Sequence, residues 1–154
     1  MQIFIYLFLL ILVPDFIYDA KVTKHDMLYQ INEIRSQGCK CGRKKMPAVS
    51  RLSWSTALED SAMRHARDMK KHDYFSHYSR NGKSVGDRLD ALGYNWQHIG
   101  ENIATGQINF TQVLEDWMDS QTHCEMIMNK DMEEMGISRV GNYWVQHFGT
   151  EIKK

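Results

Sequence analysis

Three features of the sequence predict an α+β fold, with helices packed on a mainly antiparallel sheet. Across residues 53–71, Trp54, Leu58, Ala62, Ala66 and Met69 recur at helical spacing and form one apolar stripe, while Glu59, Arg64, Arg67, Asp68 and Lys70 face elsewhere. Near the end of the chain, residues 136–140 and 143–148 are rich in β-branched and aromatic side chains. The pair Gly141-Asn142 between them suits a two-residue hairpin turn. Helical patterns come first and the hairpin comes last, an order that suits helices laid on an antiparallel sheet. The length of 154 residues fits one domain.

Residues 3–13 are an uncharged apolar run followed by Pro14. The run is too short to span a bilayer as a helix, but it has the length of a signal-peptide core. Residues 1–20 are therefore expected to be a signal peptide, residues 21–154 the mature domain, and the destination secreted or periplasmic. The competing reading makes the run a buried element of the domain. Thr23 with Asp26 three residues on resembles a capping box, so a helix should open there. Met27, Ile31 and Ile34 continue it and Gly38 can end it. Residues 38–47 read as a loop, and a second helix should cover 53–71. His65 lies at the edge of its stripe and reads first as a half-buried histidine bonded to backbone. Residues 72–82 read as loop. Ser84 with Asp87 caps a short helix that stops at Gly93, and residues 94–105 hold a short strand. A further helix should cover 109–120, with Val113 and Trp117 inward.

Composition excludes some functions. Lys plus Arg is 19 and Asp plus Glu is 19, so no net field points to nucleic acid or to an anionic membrane. No Walker loop, dinucleotide fingerprint, H-E-x-x-H or G-x-S-x-G occurs. Three cysteines remain: Cys39, Cys41 and Cys124. Export would favour a disulfide, and the odd count leaves one thiol over. Residue counting alone does not choose the pair. A C-x-C lacks the spacing of a zinc site.

Single motifs are weak here, but their order is not. Phe75-Ser76-His77 comes first, then Gly93-Tyr94, then Gly100-Glu101-Asn102-Ile103-Ala104. Residues 117–123, Trp-Met-Asp-Ser-Gln-Thr-His, follow, then Gly136 and the run 143–149, Tyr-Trp-Val-Gln-His-Phe-Gly. Upstream stand Asn32, Arg35, Gly38, Cys41-Gly42, Pro47, Leu52 and Trp54. Over residues 24–149 this series resembles the bacterial branch of the CAP superfamily, which groups cysteine-rich secretory proteins, antigen 5 and pathogenesis-related proteins.

That resemblance implies an α-β-α sandwich with a small sheet flanked by helices. It implies a cleft in which His77, Glu101 and His123 hold zinc or another divalent cation, with Ser120 where other members carry a second acid. Met126 stands where Asn is usual in the family. The resemblance also implies a Cys41–Cys124 disulfide, with Cys39 free. Two imidazoles and a carboxylate would leave a coordination place for water, as in catalytic zinc sites. The same residues without metal would be a polar cluster that fixes three loops. The expected function is a secreted binding module, not an enzyme, whose cleft takes a metal, a small apolar ligand such as a lipid, or an extracellular macromolecule. The alternative is a metal-dependent, peptidase-like hydrolase using the same cleft. Neither nucleic acid nor a transmembrane span is expected. Tyr74, Phe75, Tyr94 and Trp96 are candidates for a cleft wall, with core packing as the competing role.

Overall fold

The computed structural model describes residues 22–152, so the expected signal peptide lies outside the described residues. Helix α1 covers Lys24–Gln37. Its N-cap Thr23 and Asp26 form the reciprocal capping box, and Gly38 at φ 74° ends it. The following segment is not the expected loop. It is a small hairpin of β1 (Cys39–Cys41) and β2 (Lys44–Met46), turned at Gly42 with φ 58°. Neither strand contains a β-branched or aromatic residue, so the sequence carried no strand signal there.

Ser53–Trp54 forms the two-residue strand β3, and α2 (Thr56–His72) starts after it with Ser55 as N-cap. The helix therefore opens three residues later than its apolar stripe suggests, because Trp54 extends the stripe from a strand. Helix α3 (Val85–Asp90) carries the expected Ser84–Asp87 capping box. Strand β4 runs through Trp96–Thr105 and is longer than expected. Helix α4 (Phe110–Asp119) is capped by Asn109. The chain breaks direction at Ser120, and a separate helix α5 (Gln121–Ile127) follows. Strands β5 (Glu134–Val140) and β6 (Tyr143–Glu151) form the hairpin about Gly141-Asn142.

The main sheet has the order β3-β5-β6-β4, with only the short β3–β5 pairing parallel. Strand alternation sends side chains to two helical layers. On one face Ile103 and Val145, paired across β4 and β6, pack on Ala62, Ala66 and Met69 of α2. On the other, Ala104, Trp144 and Phe148 pack with Ile31 of α1, Phe110, Val113 and Trp117 of α4, and Ile127 of α5. The molecule is thus an α-β-α sandwich. The disulfide Cys41–Cys124 ties the β1–β2 hairpin to α5, and Cys39 is a free thiol.

Candidate functional site

The α2 face of the sheet is apolar at Ile103 and Val145 and turns polar two residues away, before Ile103 on β4 and after Val145 on β6. Glu101 on β4 and His147 on β6 are direct cross-strand partners. The Glu101 side chain is only 3% exposed. A carboxylate buried this far needs donors on both oxygens, and it has them. His77 Nδ1 donates to Oε1 at 2.7 Å. Oε2 accepts from Arg88 Nη2 at 2.6 Å and from His147 Nε2 at 2.7 Å. His65 Nε2, from α2, lies 3.8 Å from Oε2 and donates to the Ser76 carbonyl at 2.9 Å.

Arg88 extends this cluster to the loop that carries His77. Its Nη1 donates to the His77 carbonyl at 3.1 Å, to Ser79 Oγ at 3.1 Å and to the Lys83 carbonyl at 3.0 Å. One guanidinium from α3 thereby fixes both the loop and the acid beneath it. The planar fork makes this economical, since several donors are ordered by one side chain.

The electrostatics follow from burial and these bonds. Burial pushes the Glu101 carboxyl up, but the bonds from His147 and His77 and the Arg88 charge outweigh it and leave it at about 2. It is an anion at neutral pH. Glu101 bonding holds His77 above the ordinary histidine range, against a smaller effect of burial. Burial pushes His147 down despite the Glu101 bond, and pushes His65 down to about 4. Both are neutral rings.

His123 sits on α5, half-buried, and burial followed by the charge of nearby His77 lowers its pKa. Its carbonyl accepts from Asn102 Nδ2 at 3.2 Å, so β4 fixes this end of α5. Ser120 Oγ lies 3.3 Å from Thr122 Oγ1. The structure therefore joins His77 to Glu101 directly and brings His123 within electrostatic reach of His77. The three do not make a closed ligand set. Among the described residues only Cys39, Cys41 and Cys124 bring three ligand atoms within 4.8 Å of one another, and two of these are in the disulfide. The donor set still suits a metal held by imidazoles. Glu101 occupies Nδ1 of His77, which leaves Nε2 of a ring that is 54% exposed.

Sequence reasoning left three members of the cluster without a role. His147 lies in the run 143–149, and the period of two in a hairpin beside β4 is the signal that could have paired it with Glu101. His65 bonds to backbone as expected, yet it is fully buried and part of the cluster. Arg88 gave no signal at all, as one charge in a short helix. Of the aromatic candidates, Tyr94 is core at 4% exposure, whereas Phe75 is 50% exposed and, with Tyr78 at 62%, flanks His77. Met126, with Met46, Pro47 and Val49, lines a hollow of about 510 Å³ beside α5.

A profile of the CAP family, described as the cysteine-rich secretory protein family, matches residues 28–148. YlbC, an uncharacterized membrane protein of Bacillus subtilis, is 32% identical over 100 residues, covering 65% of this chain and 29% of its own length. YkwD of the same organism is 36% identical over 99 residues, covering 63% of this chain and 38% of its own length. The chain thus spans well under half the length of these curated relatives. An extracellular protein containing an SCP domain from Bacillus anthracis superposes with a TM-score of 0.74 at 28% identity, over 82% of this chain and 40% of that one. An outer surface protein of Borrelia burgdorferi superposes at 0.71 and 22% identity, over 85% and 96% of the two chains, a likeness of fold alone. Among the described residues no helix is long and apolar enough to cross a membrane.

Proposed function

The chain belongs to the CAP family, and from that premise we propose that it is a secreted or periplasmic binding module whose cleft presents His77 and His123 to a divalent cation, zinc first. One observation carries this reading: His77 is oriented by a buried carboxylate on Nδ1. Metal-binding imidazoles usually have this arrangement, with the other ring nitrogen bonded to a carboxylate that fixes tautomer and direction. Glu101 is then a positioning residue and not a ligand. His77 and His123 would hold the ion. A bound cation there would supply a Lewis acid and leave positions for donor atoms from a partner.

The hydrolase alternative has less support. The acid of the cluster does not supply its proton transfer, because Glu101 is an anion at neutral pH with both oxygens committed. The Ser120 hydroxyl shares a hydrogen bond with that of Thr122. The exposed Phe75 and Tyr78 beside His77 suit contact with an extracellular macromolecule, since aromatic rings give large contact area at low entropic cost. The hollow beside α5, lined by Met46, Met126 and Met128 together with Lys44, Glu125 and Lys130, would offer a small apolar ligand an adaptable surface, because methionine adapts to irregular shapes.

The test is calorimetric titration of zinc into metal-stripped protein. His77→Ala and His123→Ala should each abolish binding. Glu101→Gln should weaken it by about 10–100-fold, as expected for a partner that only orients a ligand. Equal affinity in wild type and both histidine variants would place the ion elsewhere and overturn the proposal.

A further inference from the structure

The β1–β2 hairpin and α5 bring three sulfurs together. Cys39 and Cys41 are two apart on β1, so their side chains lie on the same face of the strand, and that face meets Cys124. Cys41 and Cys124 form the disulfide and are fully buried, whereas Cys39 is partly exposed. The Cys39 Sγ lies 3.8 Å from Sγ of Cys124 and 3.9 Å from Sγ of Cys41. The thiol lies abreast of the disulfide, in contact with both sulfurs, so a turn of the Cys39 side chain must bring it opposite the leaving sulfur before exchange can occur.

We propose that the three cysteines form an internal thiol–disulfide exchange site, in which Cys39 and Cys41 alternate as the partner of Cys124. In the forward step the Cys39 thiol loses its proton to solvent and its sulfur attacks Sγ of Cys124. The Cys39–Cys124 bond forms as the Cys41–Cys124 bond breaks, and the electron pair leaves with the Cys41 sulfur, which takes up a proton. One disulfide and one thiol are present before and after, so no oxidant or reductant is required. Attack at Cys124 is favoured over attack at Cys41 by the strand itself. Two residues of extended chain rise about 6.6 Å, at the upper limit for a bridged pair of Cα atoms. Attack at Cys41 would also abandon the link to α5. Exchange at Cys124 keeps that link and shifts its anchor by two residues along β1. The substrate of the site is therefore a disulfide, the protein's own. Burial pushes the Cys39 thiol up, so exchange is slow relative to that of an exposed thiol.

The experiment needs no variant. Full-length oxidised protein is incubated at about pH 8 with no added thiol. It is then acid-quenched, unfolded and alkylated with a maleimide at low pH so that a buried thiol is labelled too, digested without reduction and mapped by mass spectrometry. Label should appear on both Cys39 and Cys41, with the corresponding Cys41–Cys124 and Cys39–Cys124 peptides. Label confined to Cys39, with Cys41–Cys124 as the single disulfide, would overturn the proposal. Cys41→Ser is the second measurement. It should fold with a Cys39–Cys124 bond and no titratable thiol, while a folded Cys41→Ser protein with two free thiols would show that Cys39 does not reach Cys124.

Discussion

Arg35 shows how one residue can join three segments through their backbone carbonyls. It is fully buried on α1, and its guanidinium donates to the carbonyls of Ser50 at 2.8 Å, Ile127 at 2.6 Å, Asn129 at 2.9 Å and Met132 at 3.3 Å. Burial lowers its pKa to about 10, so the charge persists at neutral pH. Four carbonyls around a cation share the desolvation cost that a single carboxylate would otherwise meet. Asn32, one turn earlier, pairs with both backbone groups of Leu52, donating at 2.9 Å and accepting at 2.7 Å. Arg35→Ala removes every donor at once and leaves a void. A loss of about 3–5 kcal/mol in unfolding free energy is expected. Arg35→Lys should recover only part of it, because a point charge does not reproduce the fork. Chemical denaturation of the two variants checks this, and an unchanged midpoint in Arg35→Ala would show that water replaces the guanidinium.

At the scale of elements, the close approach of α2 to the sheet depends on what β5 lacks. A Cβ at Gly136 would lie 2.7 Å from Cα of Glu59 and 2.7 Å from the carbonyl carbon of Leu58, both helix backbone. Two residues on, Ser138 Oγ donates to the Glu59 carbonyl at 3.0 Å. Backbone cannot yield as a side-chain tip can, so Gly136→Ala must push α2 off the strand. Its cost should be near the upper end of overpacking, about 3 kcal/mol. Thermal unfolding would show it as a lowered Tm, whereas a Tm within a degree of wild type would mean that α2 slides without loss. Gly136 was visible in the sequence only as a motif position. Helix starts were far more legible: Thr23–Asp26 and Ser84–Asp87 are local patterns with local causes, and both caps formed. The hairpin about Gly141-Asn142 was legible for the same reason. The β1–β2 hairpin, β3 and the break at Ser120 were not, because they arise from pairing and packing with distant segments. The candidate site divides in the same way. His77, Glu101 and His123 stood out in motifs, whereas Arg88 and His147 became visible only through the β4–β6 register and the loop that Arg88 holds.

For the whole molecule, the sandwich places a charged cluster between α2 and the sheet, and this ties stability to pH. His65 is neutral and fully buried, with its pKa lowered to about 4 by burial, while an unfolded chain would restore the ordinary value near 6.5. The unfolded state therefore binds more protons below about 6.5. Stability from His65 is complete above that pH and is lost as pH falls toward 4. His147 is lowered in the same direction by its burial, and Glu101, at about 2, adds a further loss below the usual carboxylate range. His77 acts oppositely: Glu101 raises its pKa, so its contribution is present below about 6.5 and fades as pH rises through its folded value. Its ring is 54% exposed, so solvent screening keeps that contribution small beside the buried rings. Net stability should thus fall on the acid side of neutrality, well before ordinary carboxylates titrate. Between pH 7 and pH 5 the His65 contribution alone should fall by about 2 kcal/mol. Urea unfolding at the two pH values measures the difference. His65→Gln keeps an N–H able to reach the Ser76 carbonyl but does not titrate, so its stability should change less between the two pH values than that of wild type. An identical dependence in wild type and His65→Gln would assign the acid sensitivity to other groups and show that His65 does not carry its buried neutral ring into that balance.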